Sequence, residues 1–186
     1  MAEQLNILIV PHTHWDREWY QTFQQFRIRL IKTIDKLLDI LDHDDSFTCF
    51  MLDGQTIVLD DYLEVQPEQE ERLKRYIGAG RILVGPWYLQ PDEFLVSGEA
   101  LIRNLQVGLQ RAAEFGGSMR VGYVPDVFGH IAQLPQILRS EEHTSELQSR
   151  RDLVCRLLAR RRCGGACQRI LLGRSRWNES PGCLPG

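Results

Sequence analysis

Four short apolar runs alternate with stretches of helical periodicity, and this alternation constrains the fold more than anything else in the chain. The runs are residues 6–11 (NILIVP), 47–52 (FTCFML), 81–85 (RILVG) and 120–124 (RVGYV). Each is short, rich in Leu and β-branched residues, and without polar alternation, as expected of strands buried on both faces. Between the first two, Phe23, Phe26, Leu30, Ile31, Ile34, Leu37, Leu38 and Leu41 form the single stripe of an amphipathic helix, which DHDD at 42–45 interrupts. QTIVLDDYL at 55–63 reads as a short helix or turn. Pro67 suits the start of another helix, with EQEE in its first turn, Lys74 and Arg75 later, and GAG at 78–80 as the stop. Ser97 can cap a helix carrying Leu101, Leu105, Leu109 and Ala112, which ends at Gly116 and Gly117. The order β-α-β-α-β-α-β predicts an α/β fold with a parallel sheet and right-handed crossovers.

The unusual chemistry follows the strands each time. PHTHWDREW comes after the first, LDGQ after the second, GPWYLQPDE after the third and PDVFGH after the fourth. Parallel α/β sheets and barrels bind ligands at the carboxyl ends of their strands. All four loops are therefore expected at one rim. His14 and Asp16 are two residues apart, so in extended chain they point to the same side. Asp126 arrives at the same rim from the fourth strand. One imidazole nitrogen and two carboxylates suit zinc or another borderline divalent ion. The bare H-x-D pair is weak by itself, since a histidine at a strand end is commonly a hydrogen-bonding loop residue. His12 reads equally as a ligand or as a partner of one. Trp19 and Trp87 have two readings, rim packing or a flat face for a sugar ring. Asp92 and Glu93 are either substrate hydrogen-bonders or solvated loop acids. No G-x-G-x-x-G or Walker pattern is present, so nucleotide binding has no support.

Composition enters through a break. Up to residue 138, twelve basic residues face twenty acidic ones, a net of −8; from 139 onward ten arginines face five acids, a net of +5. Four of the five cysteines, Cys155, Cys163, Cys167 and Cys183, lie in the second segment. RSEEHTSELQS at 139–149 matches the in-frame translation of a common sequencing-library adapter, and the match continues through Arg150, Arg151, Asp152 and LVCRLL to residue 158. Residues 1–138 are accordingly read as the protein-like unit and 139–186 as an artefactual, non-native tail. An arginine patch at Arg160–Arg162 or a metal site at Cys163 and Cys167 are the competing readings, and neither has a paired C-x-x-C element or an aromatic platform beside it. The overall net charge of −3 gives no reason to expect a nucleic-acid partner. No apolar run approaches the roughly 18 residues of a membrane span. The start carries an acid and no basic n-region, so a cytoplasmic location without a membrane partner is expected.

PHTHWDREWY, DGQTIVLDDYL, GPWYLQPDE and GYVPDVFGH, in that order and spacing, resemble the amino-terminal part of glycoside hydrolase family 38 α-mannosidases, closest to the bacterial branch that includes mannosylglycerate hydrolase. The likeness covers nearly all of residues 5–138. It implies an incomplete parallel β/α barrel, the amino-terminal part of a seven-stranded one. It also implies a zinc-dependent retaining exo-glycosidase whose partner is a carbohydrate with a terminal α-mannose. On this resemblance His14 and Asp16 are zinc ligands, and Asp126 is both ligand and nucleophile. Trp19 packs beside the sugar, while Trp87 and Asp92 occupy motif positions in the substrate site. The family's fourth ligand and general acid lie far downstream, so the chain as written is expected to be inactive. A metal-dependent polysaccharide deacetylase is the rival enzyme class, but it would want an H-x-x-x-H pair that is absent here. A non-catalytic sugar-binding module is the rival outside enzymes.

Overall fold

The structure, a computed structural model, describes residues 9–140, with backbone alone for 139 and 140. The elements in chain order are β1 (His12–Thr13), α1 (Phe23–His43), β2 (Phe50–Leu52), α2 (Ile57–Leu63), a 3-10 turn (Pro67–Gln69), α3 (Glu70–Gly78), β3 (Ile82–Leu83), α4 (Gly98–Glu114) and α5 (Leu134–Ser140). The strands form one parallel sheet in the order β1-β2-β3. His12 pairs with Met51, Thr13 with Leu52, Phe50 with Ile82 and Met51 with Leu83. The fold is thus mixed α/β with a small parallel sheet. Among the described residues no helix is long and apolar enough to cross a membrane.

Strand side chains alternate between faces. Leu52 and Ile82 join Leu30, Ile34, Leu38 and Leu41 of α1, Tyr62 of α2, Leu73 and Ile77 of α3, and Phe115 in the main core. Met51 and Leu83 face the other way, onto Met119 and Tyr123. The sheet is therefore covered on both sides, which is why its strands read as continuous apolar runs. Ile34 and Leu38 are fully buried, each stabilising the fold by about 1.5–3 kcal/mol relative to exposure. The stripe expected of α1 is observed, with Phe23 and Ile31 at its half-buried margins. Ser97 caps α4 as expected, its Oγ accepting from the Ala100 N–H at 3.1 Å.

Two expectations are corrected, and one element is new. Residues 120–124 do not form a strand: the Met119 N–H donates to Val84 O at 2.8 Å, and no ladder follows among the described residues. The apolar pattern there serves packing instead, with Tyr123 on the β2 and β3 side chains and Gly122 against the Leu138 side chain. The first strand falls at His12–Thr13, later than 6–11; residues 9–11 lie outside it and residues 6–8 lie outside the described ones. Its pairing starts where Pro11 O accepts the Met51 N–H at 3.0 Å, and Pro11 has no N–H to extend the ladder backwards. Helix α5 was not anticipated, and Leu134, Ile137 and Leu138 dock it beside Trp87, Leu101 and Leu105. The tail reading of 139–186 lies outside the described residues, apart from the α5 backbone at 139 and 140.

Helix α4 meets the loop after β3 through a glycine. A Cβ on Gly108 would lie 2.2 Å from the Trp87 backbone carbon and 2.3 Å from Pro86 O and Tyr88 N. Backbone cannot yield as a flexible side chain can. Gly108→Ala is expected to lower stability by about 3 kcal/mol in urea unfolding, whereas Gly98→Ala, with nothing within 4 Å, stays within about 0.5 kcal/mol of the parent.

A second prediction concerns the α1–α3 contact. Asp42 accepts hydrogen bonds from Tyr76 Oη, Arg72 Nη2 and Arg75 Nη2, the last at 2.8 Å. The Tyr76 hydroxyl first, then Arg72 and Arg75, hold its carboxyl below the ordinary value of 3.8. A depressed folded-state value means stability present above pH 3.8 and lost as pH falls through the lower, folded value. Asp42→Asn should destabilise by about 1 kcal/mol near neutrality, with the difference from the parent vanishing in acid unfolding series below that point.

Candidate metal centre

The end of β1 turns the chain so that His14 and Asp16 share one side. His14 Nε2 lies 3.7 Å from Asp16 Oδ1 and 3.2 Å from Asp126 Oδ2. One ligand atom from each of the three residues falls within 4.8 Å of the others. Two zinc–ligand bonds of about 2.1 Å at a tetrahedral angle separate their donor atoms by about 3.4 Å, so the two measured separations bracket what a shared ion requires. The donor set, one imidazole and two carboxylates, also fits zinc. His14, Asp16 and Asp126 are all partly exposed, with Asp126 the most open at 51% of its side chain.

What aims His14 is Asp53, a residue the sequence reading left unassigned within LDGQ. Asp53 is completely buried directly after β2, in a left-handed turn with φ of 44°. Its Oδ1 lies 3.4 Å from His14 Nδ1, and its Oδ2 accepts the Trp15 N–H at 2.7 Å and the Gln55 Nε2 amide at 3.0 Å. With Asp53 ionised its Oδ1 can only accept, which puts the His14 proton on Nδ1 and turns the Nε2 lone pair toward Asp16 and Asp126. Burial raises the Asp53 carboxyl above its ordinary value, and the Trp15 N–H and His14 oppose that shift. Arg17 pins the same loop from the other side. Its Nε and Nη2 donate to the two Asp61 oxygens at 2.7 and 2.8 Å, tying the residue beside Asp16 to α2. The Asp61 hydrogen bond raises the Arg17 guanidinium.

A cavity of about 310 Å³ opens over the cluster, lined by His14, Asp16, Trp19, Asp92, Asp126 and Phe128 among others. That is the small end of the range for ligand sites. Trp19 is 71% exposed in its wall. Asp92 Oδ1 and Gln90 Oε1 are buried acceptors without a hydrogen-bond partner among the described residues, which a ligand hydroxyl could satisfy. The structure thus brings together His14, Asp16, Asp126, Trp19 and Asp92. Trp87 stands apart: of its two readings, rim packing and a flat face for a sugar, its burial favours packing over the substrate-site position that the resemblance implied. It is wholly buried, packs on Leu101, Leu105 and Leu134, and donates from Nε1 to Tyr123 O at 3.0 Å. An indole with no open face cannot carry a sugar. His12 is exposed and bonded to Thr13 O, outside the cluster. Glu93 is buried rather than solvated.

Residues 4–152 match the model of the glycosyl hydrolases family 38 N-terminal domain. The chain belongs to glycoside hydrolase family 38. It is 47% identical over 131 residues to a protein of Halalkalibacterium halodurans named "Putative mannosylglycerate hydrolase", covering 70% of this chain and 15% of that one. Alpha-mannosidase G of Dictyostelium discoideum is 30% identical over 139 residues, 73% of this chain and 12% of its own. Among solved structures, an alpha-mannosidase from Enterococcus faecalis V583 superposes with a TM-score of 0.72 at 43% identity, over 73% of this chain and 15% of that one. The chain therefore spans about a seventh of the length of these relatives.

The Asp53 network predicts a stability effect. Asp53→Ala leaves the Trp15 N–H and the Gln55 amide short of an acceptor and puts alanine at positive φ. It should cost about 2–3 kcal/mol in urea unfolding. Asp53→Asn, which tolerates the turn and keeps one acceptor, should cost clearly less.

Proposed function

We propose that this chain is the amino-terminal part of the catalytic β/α barrel of a zinc-dependent retaining exo-α-mannosidase acting on carbohydrates with terminal α-mannose. The observation that carries the proposal is the convergence of His14, Asp16 and Asp126 at the carboxyl end of a parallel sheet, in a family 38 chain. On this reading His14 Nε2 and a carboxylate oxygen each from Asp16 and Asp126 hold the ion. Bound there, it supplies Lewis-acid contact to neighbouring hydroxyls of the sugar.

The chain's own residues do the rest. Asp126 is the nucleophile: its carboxylate attacks the anomeric carbon while the glycosidic oxygen leaves with a proton from a general acid. Retaining enzymes place those two carboxyl groups about 5 Å apart, and water later hydrolyses the glycosyl ester. Trp19 offers its open ring face to the pyranose, and Asp92 Oδ1 accepts from a sugar hydroxyl. Asp53 keeps the His14 tautomer correct. The general acid, the fourth ligand and the remaining barrel strands belong to sequence beyond the segment shared with the relatives. On this reading residues 1–138 are the unit that folds into that barrel and 139–186 a tail, although α5 carries on to Ser140 and the family match to residue 152. Family membership sets aside the deacetylase alternative.

Two measurements test this. Purified chain titrated with zinc should take up one equivalent, and His14→Ala or Asp16→Ala should weaken uptake by about 100-fold or more; uptake unaffected by either removes the metal reading. With p-nitrophenyl α-mannoside and zinc, the 186-residue chain should show no turnover above an Asp126→Asn control. Turnover above that control overturns the assignment of an essential acid to sequence outside it, and mannose binding that needs no zinc favours the sugar-binding module.

A further inference from the structure

Asp126 sits in a stretch that the sheet does not hold. From Arg120 to Ile131 no ladder is formed, and within the stretch the Tyr123 N–H donates to Val121 O at 2.9 Å. A ligand or nucleophile needs placement to within a fraction of an ångström. Something other than the ladder must supply it.

The loop after β3 reaches this stretch at three points. Upstream of Asp126, Trp87 Nε1 donates to Tyr123 O at 3.0 Å. Downstream, Glu93 Oε2 accepts the Ile131 N–H at 2.8 Å and Glu93 Oε1 meets His130 Nδ1 at 2.8 Å. Between them the Phe94 ring packs on Gly129, where a Cβ would come within 2.5 Å of Phe94 Cε2 and where φ is 151°. The Glu93 side chain is fully buried, while that of His130 is 56% exposed. Burying a carboxylate is costly unless its oxygens are used. Here both are used, and both point at the loop that carries Asp126.

We propose that Glu93 is a positioning residue: by clamping His130 and the Ile131 N–H, opposite the Trp87 anchor on Tyr123, it fixes the Asp126 carboxylate beside His14 and Asp16. This rests on the reading of those three residues as a metal site. Glu93 itself touches neither ion nor substrate; it acts through the backbone of 126–131.

The test uses the 186-residue chain and cobalt(II) as an optical probe. Glu93→Ala should weaken cobalt binding about 10-fold, and Glu93→Gln, which retains an acceptor for Ile131, should recover part of that. In an Asp126→Asn background the same Glu93→Ala change should cost less than about twofold, because the carboxylate it positions is gone. A separate, metal-free readout is amide exchange: Ile131 should exchange faster and the Val127 amide resonance should move in Glu93→Ala, while Ile34 in α1 is unchanged. Equal cobalt affinity in parent and Glu93→Ala, or an equal loss in both backgrounds, overturns the proposal. Absence of cobalt uptake by the parent sinks the metal reading instead; the clamp then stands or falls on the Ile131 and Val127 signals, and unchanged signals overturn it.

Discussion

The Asp53 carboxylate, wholly buried at the carboxyl end of β2, gathers the Trp15 N–H, the Gln55 amide and the His14 ring around one pair of oxygens. Those contacts join the loop after β1 to the loop after β2. Gln55 extends the join by donating to Trp15 O at 2.8 Å and accepting from the Gln90 N–H at 3.3 Å, which brings in the loop after β3. Removing Asp53 would take away the His14 Nδ1 contact and leave the Trp15 N–H and one Gln55 amide N–H short of an acceptor. A carboxylate is suited to the position because it accepts several hydrogen bonds at once and fixes which nitrogen of an imidazole is free.

Behind this network the scaffold is ordinary. Helices α1 to α3 cover one face of a short parallel sheet, and their apolar stripes supply most of the core. In front, the loops have little regular backbone pairing and are held by side chains. Arg17 grips Asp61, Asn104 of α4 pairs with the Leu89 backbone, and Trp87 and Glu93 hold the segment around Asp126. The division follows from what each part must do. A ladder positions backbone along one line, whereas a site built from four loops needs anchors running across the strands.

Helices α1, α3 and α4 were legible in the sequence because their signals are local, whereas α5 was not. The Phe26 to Leu41 stripe, the Ser97 cap and the proline at the start of the 67–78 helical stretch each depend on neighbours three or four residues away. The candidate site was legible in part for a related reason: His14 and Asp16 lie two residues apart, and the polar clusters follow apolar runs. The role of Asp53 was harder to read. Its motif was visible, but an aspartate before a glycine usually signals only a turn. Glu93, like Asp92, read as either a substrate hydrogen-bonder or a solvated acid, and nothing local distinguishes the two. Trp87 looked like its counterpart Trp19, yet one indole lies in the core and the other stands open to the cavity.

The sequence by itself determined the alternation of strand and helix as far as α4, the collection of polar groups after the apolar runs and the chemistry of the three converging side chains. These follow from residue type and short-range spacing, which the chain carries wherever it goes. Tertiary structure alone decided that residues 120–124 pack without pairing, that Trp87 is buried, and that Asp53 and Glu93 serve as internal anchors. Burial and hydrogen-bond partnership depend on atoms brought from tens of residues away, and a strand exists only when a neighbour answers its backbone. No local pattern records whether that neighbour arrives.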